Sequence, residues 1–291
     1  MTRKINWSDA VFFFDVDDTL IETAKNSIIA SQGIFNTLKK ELGKEKAKSV
    51  TERFRYIFNT LANQHWANQD QDHSEYDSII DEINKFQKPV VEKYGNIRKW
   101  SREVFLKIAS DDLSIHLNPE LIYESINNYW EMVSDNSTPI EGVLNLFKKI
   151  KSHNRPIYFV TGSDARLKMN SQELFDYDPK YSEQFKAKRI NALKNKGLFF
   201  NALSIGDPED KPHLDFFEKA VTIAEKDLGH KLDYKNSIMF GDSYVADLQI
   251  PREKMNFGLV VLFKKGQEKP IEEAESYISL GNIYSVTDYL I

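Results

Sequence analysis

Five apolar residues, Ala10-Val11-Phe12-Phe13-Phe14, run without a break into Asp15-Val16-Asp17-Asp18-Thr19. An unalternating apolar run of this length predicts a strand buried on both faces, the condition of a parallel strand inside an α/β sheet. Such a sheet binds its ligands at the C-terminal ends of its strands. Two carboxylates two positions apart at that mouth, Asp15 and Asp17, are costly unless a cation or a proton separates their charges. The segment therefore predicts both a fold class and a charged site at its edge.

Further strand-like runs come late in the chain: Ile157-Tyr158-Phe159-Val160, Ser237-Ile238-Met239-Phe240, Leu259-Val260-Val261-Leu262-Phe263 and the weaker Ala202-Leu203-Ser204-Ile205. Helical stretches such as 143–151 and 214–228 lie among them. Strands alternating with helices of this length predict a doubly wound, mostly parallel sheet. From about residue 22 to 137 the pattern is helical instead, with apolar residues spaced as in Phe54, Ile57, Phe58 and Leu61, or Leu121, Ile122, Ile126 and Trp130. Pro89, Gly95 and Pro119 punctuate this region as helix boundaries. The expected organisation is an α/β core made of residues 1–21 and 138–291, with an all-helical domain, residues 22–137, inserted between its first strand and the rest.

Bulk properties narrow the functional classes. The 291 residues suffice for two domains with real cores. A net charge of -5 argues against nucleic-acid binding, which needs cations to neutralise phosphates. The absence of cysteine excludes disulfides, thiolate catalysis and cysteine metal sites. No stretch approaches the roughly 18 apolar residues that span a bilayer, and the first residues hold no apolar signal core, so no membrane association and a cytoplasmic location are expected. The six histidines show no ligand spacing, His65, His73 and His116 included, and Lys85, Lys88, Lys93, Arg98 and Lys99 form a loose basic cluster that reads as a solvated face.

Four pieces follow one another in a telling order. After Asp15 and Asp17 comes Thr161-Gly162-Ser163 at the end of an apolar strand. Lys211-Pro212 then precedes a helix, and Gly241-Asp242-Ser243 closes another strand, with Asp247 five residues past Asp242. Each follows a strand or opens a helix, so all can project from one sheet edge. Their side chains suit phosphoryl transfer from a monoester. Asp15 attacks phosphorus, dividing one hard step into two. Asp17 protonates the leaving oxygen and later deprotonates water. Asp15 and Asp242 offer hard oxygen ligands to Mg2+, while Thr161 and Lys211 stabilise the phosphoryl oxygens.

This order and spacing resemble the haloacid dehalogenase-like (HAD) superfamily in its phosphatase branch. Asp15-Val16-Asp17-Asp18-Thr19-Leu20 is similar to the first motif, Thr161 to the second, Lys211 to the third, and Asp242 with Asp247 to the fourth. The resemblance implies a Rossmann-like core with a helical cap and Mg2+ as cofactor. It implies metal ligation by Asp15, Asp17 and Asp242, and phosphate binding by Thr161, Gly162 and Lys211. Ser243 and Asp247 take supporting places around the metal. The expected substrate is a small phosphorylated metabolite. Dehalogenases of the superfamily lack an acid at the place of Asp17, so its presence favours phosphate chemistry. Two departures stand out: Leu214 replaces a proline that often follows Lys-Pro, and the long polar stretch from Lys168 to Lys196 makes Lys186 or Lys188 an alternative source of the third-motif cation. A phosphomutase or phosphotransferase on the same core is the alternative function. A catalytically idle binding protein would be marked by a missing motif residue, and none is missing. No G-x-S-x-G elbow suggests an acyl hydrolase.

Overall fold

The computed structural model describes residues 4–62, 73–94, 99–208 and 210–291; His65, Gly95 and Arg98, singled out above, lie outside them, as does the side chain of His73. In chain order the elements are β1 (Val11–Phe14), α1 (Ser27–Leu42), α2 (Lys44–Leu61), α3 (His73–Phe86), α4 (Lys88–Tyr94), α5 (Arg102–Asp111), α6 (Pro119–Asn136) and α7 (Val143–Ser152). There follow β2 (Ile157–Gly162), β3 (Leu167–Met169), β4 (Phe175–Tyr177), α8 (Pro179–Ala192), β5 (Ala202–Gly206) and α9 (Leu214–Leu228). The chain closes with β6 (Ser237–Gly241), α10 (Gln249–Glu253), β7 (Leu259–Phe263), β8 (Ile271–Ala274) and β9 (Tyr277–Leu280).

Seven strands form one sheet in the order β5-β2-β1-β6-β7-β9-β8, with every neighbouring pair parallel except β8 and β9. Strand β1 lies inside the sheet between β2 and β6 and is wholly buried, as its unbroken apolar run requires. Alternate side chains serve opposite faces. Phe12, Phe14, Phe159, Phe240 and Val261 pack with Val143, Leu146, Phe147 and Ile150 of α7. Val11, Phe13, Tyr158, Met239 and Val260 pack with Phe216, Phe217, Ala220 and Ala224 of α9. The sheet is thus covered on both sides, the doubly wound α/β arrangement expected from the sequence. The chain proceeds from β1 outward to β2 and β5, then returns to the other side of β1 with β6. The strand order therefore reverses between β1 and β6, and the crevice beyond their C-terminal ends is where such sheets bind ligands.

The division of the chain differs from the expected one in a single segment. One compact unit comprises Met1–Ala24, Ser137–Ser163 and Lys186–Ile291, and the other Lys25–Asn136 together with Asp164–Phe185. The added segment carries the β3–β4 hairpin, so the helical unit is not all-helical. Leu167, Phe175 and Tyr177 of the hairpin join the apolar core of that unit beside Ile83, Phe86 and Phe105, and the buried Arg166 guanidinium pairs with Glu103 of α5 at 2.5 Å. Strands of three residues are too short to leave a periodic trace. The basic cluster expected in this unit is dispersed: Lys85 pairs with Glu82, Lys88 lies 3.8 Å from Glu92, and Lys99 is buried with its ammonium over the Tyr177 ring. Among the described residues no helix is long and apolar enough to cross a membrane.

Candidate active site

Asp15 is the first residue after β1, and its N–H donates to the Phe240 carbonyl of β6 at 2.9 Å. This bond extends the parallel pairing by one step and brings Asp15 beside Asp242, which follows β6. Carboxylate oxygens of Asp15, Asp242 and Asp247 all lie within 4.8 Å of one another. Asp247 reaches the group from a π-helical turn, Tyr244–Leu248, whose start is capped by the Ser243 hydroxyl. Its Oδ2 accepts the Ser243 N–H at 3.0 Å. Gly241 makes room for it, because a Cβ there would stand 2.6 Å from the Asp247 carboxyl carbon.

Lys211 supplies the counter-charge. Its Nζ donates to Asp15 Oδ1 at 2.5 Å and to Asp247 Oδ1 at 2.7 Å. All three side chains are nearly inaccessible to water. Burial opposes the Lys211 charge, but Asp15 and Asp247 outweigh it and raise its pKa. Burial pushes the Asp15 carboxyl up to about 7 against the pull of Lys211, with Asp247 adding to the rise. Asp242 faces water at the rim of the group yet is crowded by protein; that crowding, then the charges of Asp15, Asp247 and Asp18, push its carboxyl up to about 8. One ammonium thus stands among three carboxylates, and burial together with their mutual repulsion raises the Asp15 and Asp242 carboxyls.

Asp17 is differently employed. Its Oδ2 accepts from Lys186 Nζ at 2.5 Å and from Arg189 Nη2 at 2.8 Å, while its Oδ1 accepts from Arg189 Nη1 at 2.9 Å and the Thr23 hydroxyl at 2.7 Å. Burial alone would raise this carboxyl, but Arg189 and Lys186 prevail and hold it well below the ordinary range. Asp18 shapes the turn that separates the two acids. It takes a left-handed backbone conformation, φ 59°, which Asp tolerates better than most residues, and its Oδ1 accepts the Thr23 and Ala24 N–H groups.

Measured against the expectations, the structure brings Asp15, Lys211, Asp242, Ser243 and Asp247 together. The Asp17 carboxylate lies outside the acidic group, its oxygens taken by Lys186, Arg189 and Thr23, whereas Asp247, expected only to support, stands in that group. Lys186, considered as an alternative partner for the phosphate, binds Asp17, whereas Lys211 is the cation beside Asp15; Lys188 is exposed. Thr161 is buried at the C-terminal end of β2, the strand next to β1, with Gly162 closing that strand opposite Gly206 of β5. The role of Arg189 was missed. It is 172 positions from Asp17 in the chain, and nothing local links them; the one available signal was its i+3 spacing from Lys186 on a helix face.

A doubly wound α/β sheet with acids grouped at its switch point and a buried lysine among them defines the class of HAD-like hydrolases. The family model described as haloacid dehalogenase-like hydrolase matches residues 10–252, and the chain belongs to that family. Solved structures are similar over nearly their whole length. One assigned as the HAD-hydrolase YfnB from Bacillus subtilis, bound to magnesium, is 13% identical, with 96% of this chain and 97% of that chain covered and a TM-score of 0.51. The 2-haloacid dehalogenase from Pseudomonas syringae pv. Tomato DC3000 is 14% identical, with 97% of each chain covered and a TM-score of 0.51. A Thermotoga maritima protein assigned as a beta-phosphoglucomutase is 12% identical, covers 96% of this chain and 98% of its own, and also scores 0.51. At these identities the likeness concerns the fold. No curated protein sequence matches the chain.

Proposed function

We propose that this chain is a Mg2+-dependent phosphatase that hydrolyses a small phosphate monoester of the cytoplasm through a phosphorylated Asp15. The observation that carries the reading is the group of Asp15, Asp242 and Asp247 around Lys211: three carboxylate oxygens within 4.8 Å form a hard-oxygen cradle next to the nucleophile. Displacing a halide from an uncharged carbon needs no such cradle, whereas an anionic carboxylate approaching a phosphate does. Asp15 and Asp242, with Asp247 beside them, are the residues to hold Mg2+, which supplies positive charge where two anions must meet.

The residues of the chain then divide the work. Lys211 holds the Asp15 carboxylate in place and offsets charge on the phosphoryl oxygens, joined by the Thr161 hydroxyl and the Gly162 N–H. An Asp15 oxygen forms a bond to phosphorus as the bond from phosphorus to the leaving oxygen breaks. Water then attacks the phosphorylated Asp15, giving up its proton to Asp17 and restoring the Asp15 carboxylate. Lys186 and Arg189 keep Asp17 ionised but weaken it as a base, so it must loosen from them to accept that proton. For Asp17 to protonate a leaving oxygen in the first step, it must first leave those two cations.

Release of phosphate from p-nitrophenyl phosphate, measured with Mg2+, with EDTA and in Asp15→Asn, tests the reading. Turnover that needs the metal and vanishes in the variant supports it. Turnover that persists in Asp15→Asn shows that Asp15 is not the nucleophile.

A further inference from the structure

Gly162 and Gly206 are register partners at the C-terminal ends of β2 and β5, and between them they leave a slot that is filled from a distance. The occupant is the side chain of Asp210. A Cβ on Gly206 would stand 2.7 Å from the Asp210 carboxyl carbon, and one on Gly162 would stand 3.0 Å from its Oδ1. Seated there, the carboxylate joins two loops: Oδ2 accepts the Ser163 N–H at 3.2 Å, and Oδ1 accepts the Lys211 N–H at 2.8 Å. The Asp210 carbonyl in turn accepts the His213 N–H at 3.1 Å, at the residue that precedes α9. One residue therefore ties the loop after Thr161, the end of β5 and the start of α9 to the backbone of Lys211.

We infer that Asp210 is a positioning residue that sets where the Lys211 ammonium stands over Asp15 and aligns it with the phosphate-binding turn at Thr161-Gly162-Ser163. The inference deepens the phosphatase reading and rests on it for its catalytic consequence. A lysine side chain has four rotatable bonds, so its reach to Asp15 and Asp247 is only as well defined as its backbone. Lys211 stands between two prolines' worth of loop, Pro208 and Pro212, with no regular element of its own before α9. The backbone is held instead by the hydrogen bond from the Lys211 N–H to the Asp210 carboxyl group. The two glycines have a shared physical reason: any side chain at 162 or 206 occupies the space the carboxylate needs.

Five proteins test the inference: wild type, Asp210→Ala, Asp210→Asn, Gly206→Ala and the double variant of Asp210→Ala with Gly206→Ala. In Asp210→Ala the KM for a monoester and the inhibition constant of inorganic phosphate should rise together by about ten-fold, since ångström-scale misplacement of a positioned group costs that much or more. Asp210→Asn, which keeps one acceptor oxygen, should fall between. Gly206→Ala should reproduce Asp210→Ala by expelling the carboxylate, and the double variant should be no worse than the worse single one. Amide hydrogen exchange should quicken at Ser163 and Lys211 in each variant. Unchanged KM and inhibition constant in Asp210→Ala overturn the inference, as do losses that add in the double variant. If Asp210→Ala fails to fold, Gly206→Ala carries the same comparison. Should the wild type hydrolyse no monoester, the phosphatase reading fails, and exchange at Ser163 and Lys211 still decides the positioning role of Asp210: faster exchange in the variants supports it, and unchanged exchange overturns it.

Discussion

Lys211 Nζ lies 2.5 Å from Asp15 Oδ1, although 196 positions of chain separate the two residues. The contact joins the loop before α9 to the end of β1 and gives the buried Asp15 carboxylate its nearest positive charge. Asp247, on the other side of the same ammonium at 2.7 Å, makes the lysine a bridge between two acids. Much of the expected behaviour of this protein follows from that bridge.

Removing the bridging charge leaves two buried carboxylates facing each other. Lys211→Met should cost about 3–5 kcal/mol at pH 8, the usual consequence of breaking a buried ion pair by deleting one partner. At pH 5 the loss should shrink, because Asp15, whose carboxyl burial raises to about 7, then escapes repulsion by taking up a proton. Urea denaturation of both proteins at the two pH values checks this. Equal losses at pH 5 and pH 8 would show that Lys211 acts through packing alone.

The metal-free protein should become less stable as pH rises from about 4 to about 8. The carboxyls of Asp15 and Asp242 stand at about 7 and about 8 in the folded chain, above the ordinary value near 3.9 that applies when unfolded. Between those limits the folded state holds more protons than the unfolded one, so raising pH favours unfolding. On the proposed reading, Mg2+ binding would displace those protons. Calorimetric titration in two buffers of different ionisation heat should reveal proton release on binding, and the affinity should climb from pH 6 to pH 8. Asp242→Ala should weaken binding throughout. A metal titration identical to wild type in that variant removes Asp242 from the ligand set.

Asp17 should matter in proportion to how badly the leaving group needs a proton. Asp17→Asn should slow hydrolysis of an alkyl phosphate by about 10^2 to 10^4-fold, the range of a positioned acid or base. The loss should be smaller for p-nitrophenyl phosphate, whose phenolate departs unprotonated. The ratio of kcat/KM for the two substrates in wild type and variant decides the matter, and an unchanged ratio would exclude Asp17 as the proton donor.

Loosening the hold on Asp17 should act in the same currency. With Arg189→Gln the bidentate contact is lost, and the Asp17 carboxyl should rise from its depressed position toward the ordinary range. Its folded pKa lies below the unfolded one in the wild type, so the pair contributes stability above pH 4 that is lost as pH falls through the folded value. The variant should therefore be less stable than wild type at neutral pH and approach it in acid. Thermal melting at pH 7 and pH 3 measures the difference. A constant gap between the two proteins would mean that Arg189 contributes packing and not charge.

The sequence alone determined the parts of the molecule that arise from local chemistry. The apolar run before Asp15 becomes a buried inner strand because five consecutive apolar residues have nowhere to go but a covered sheet. Helix α9 follows 214–228 as its spacing dictates. Asp15, Lys211 and Asp242 could be named because each ends a strand or opens a helix, and those ends meet at one edge of a parallel sheet. Only the tertiary structure decided which charge faces which. That Asp17 turns to Lys186 and Arg189, that Asp247 enters the acidic group, and that Asp210 fills the slot between Gly162 and Gly206 depend on strand register and burial. So does the transfer of 164–185 to the helical unit, where Leu167, Phe175 and Tyr177 find their apolar partners. Charge pairing across 169 or 196 positions of chain leaves no periodic mark in a sequence. It arises when desolvation makes an unpaired charge too costly and the nearest opposite charge is chosen by the fold.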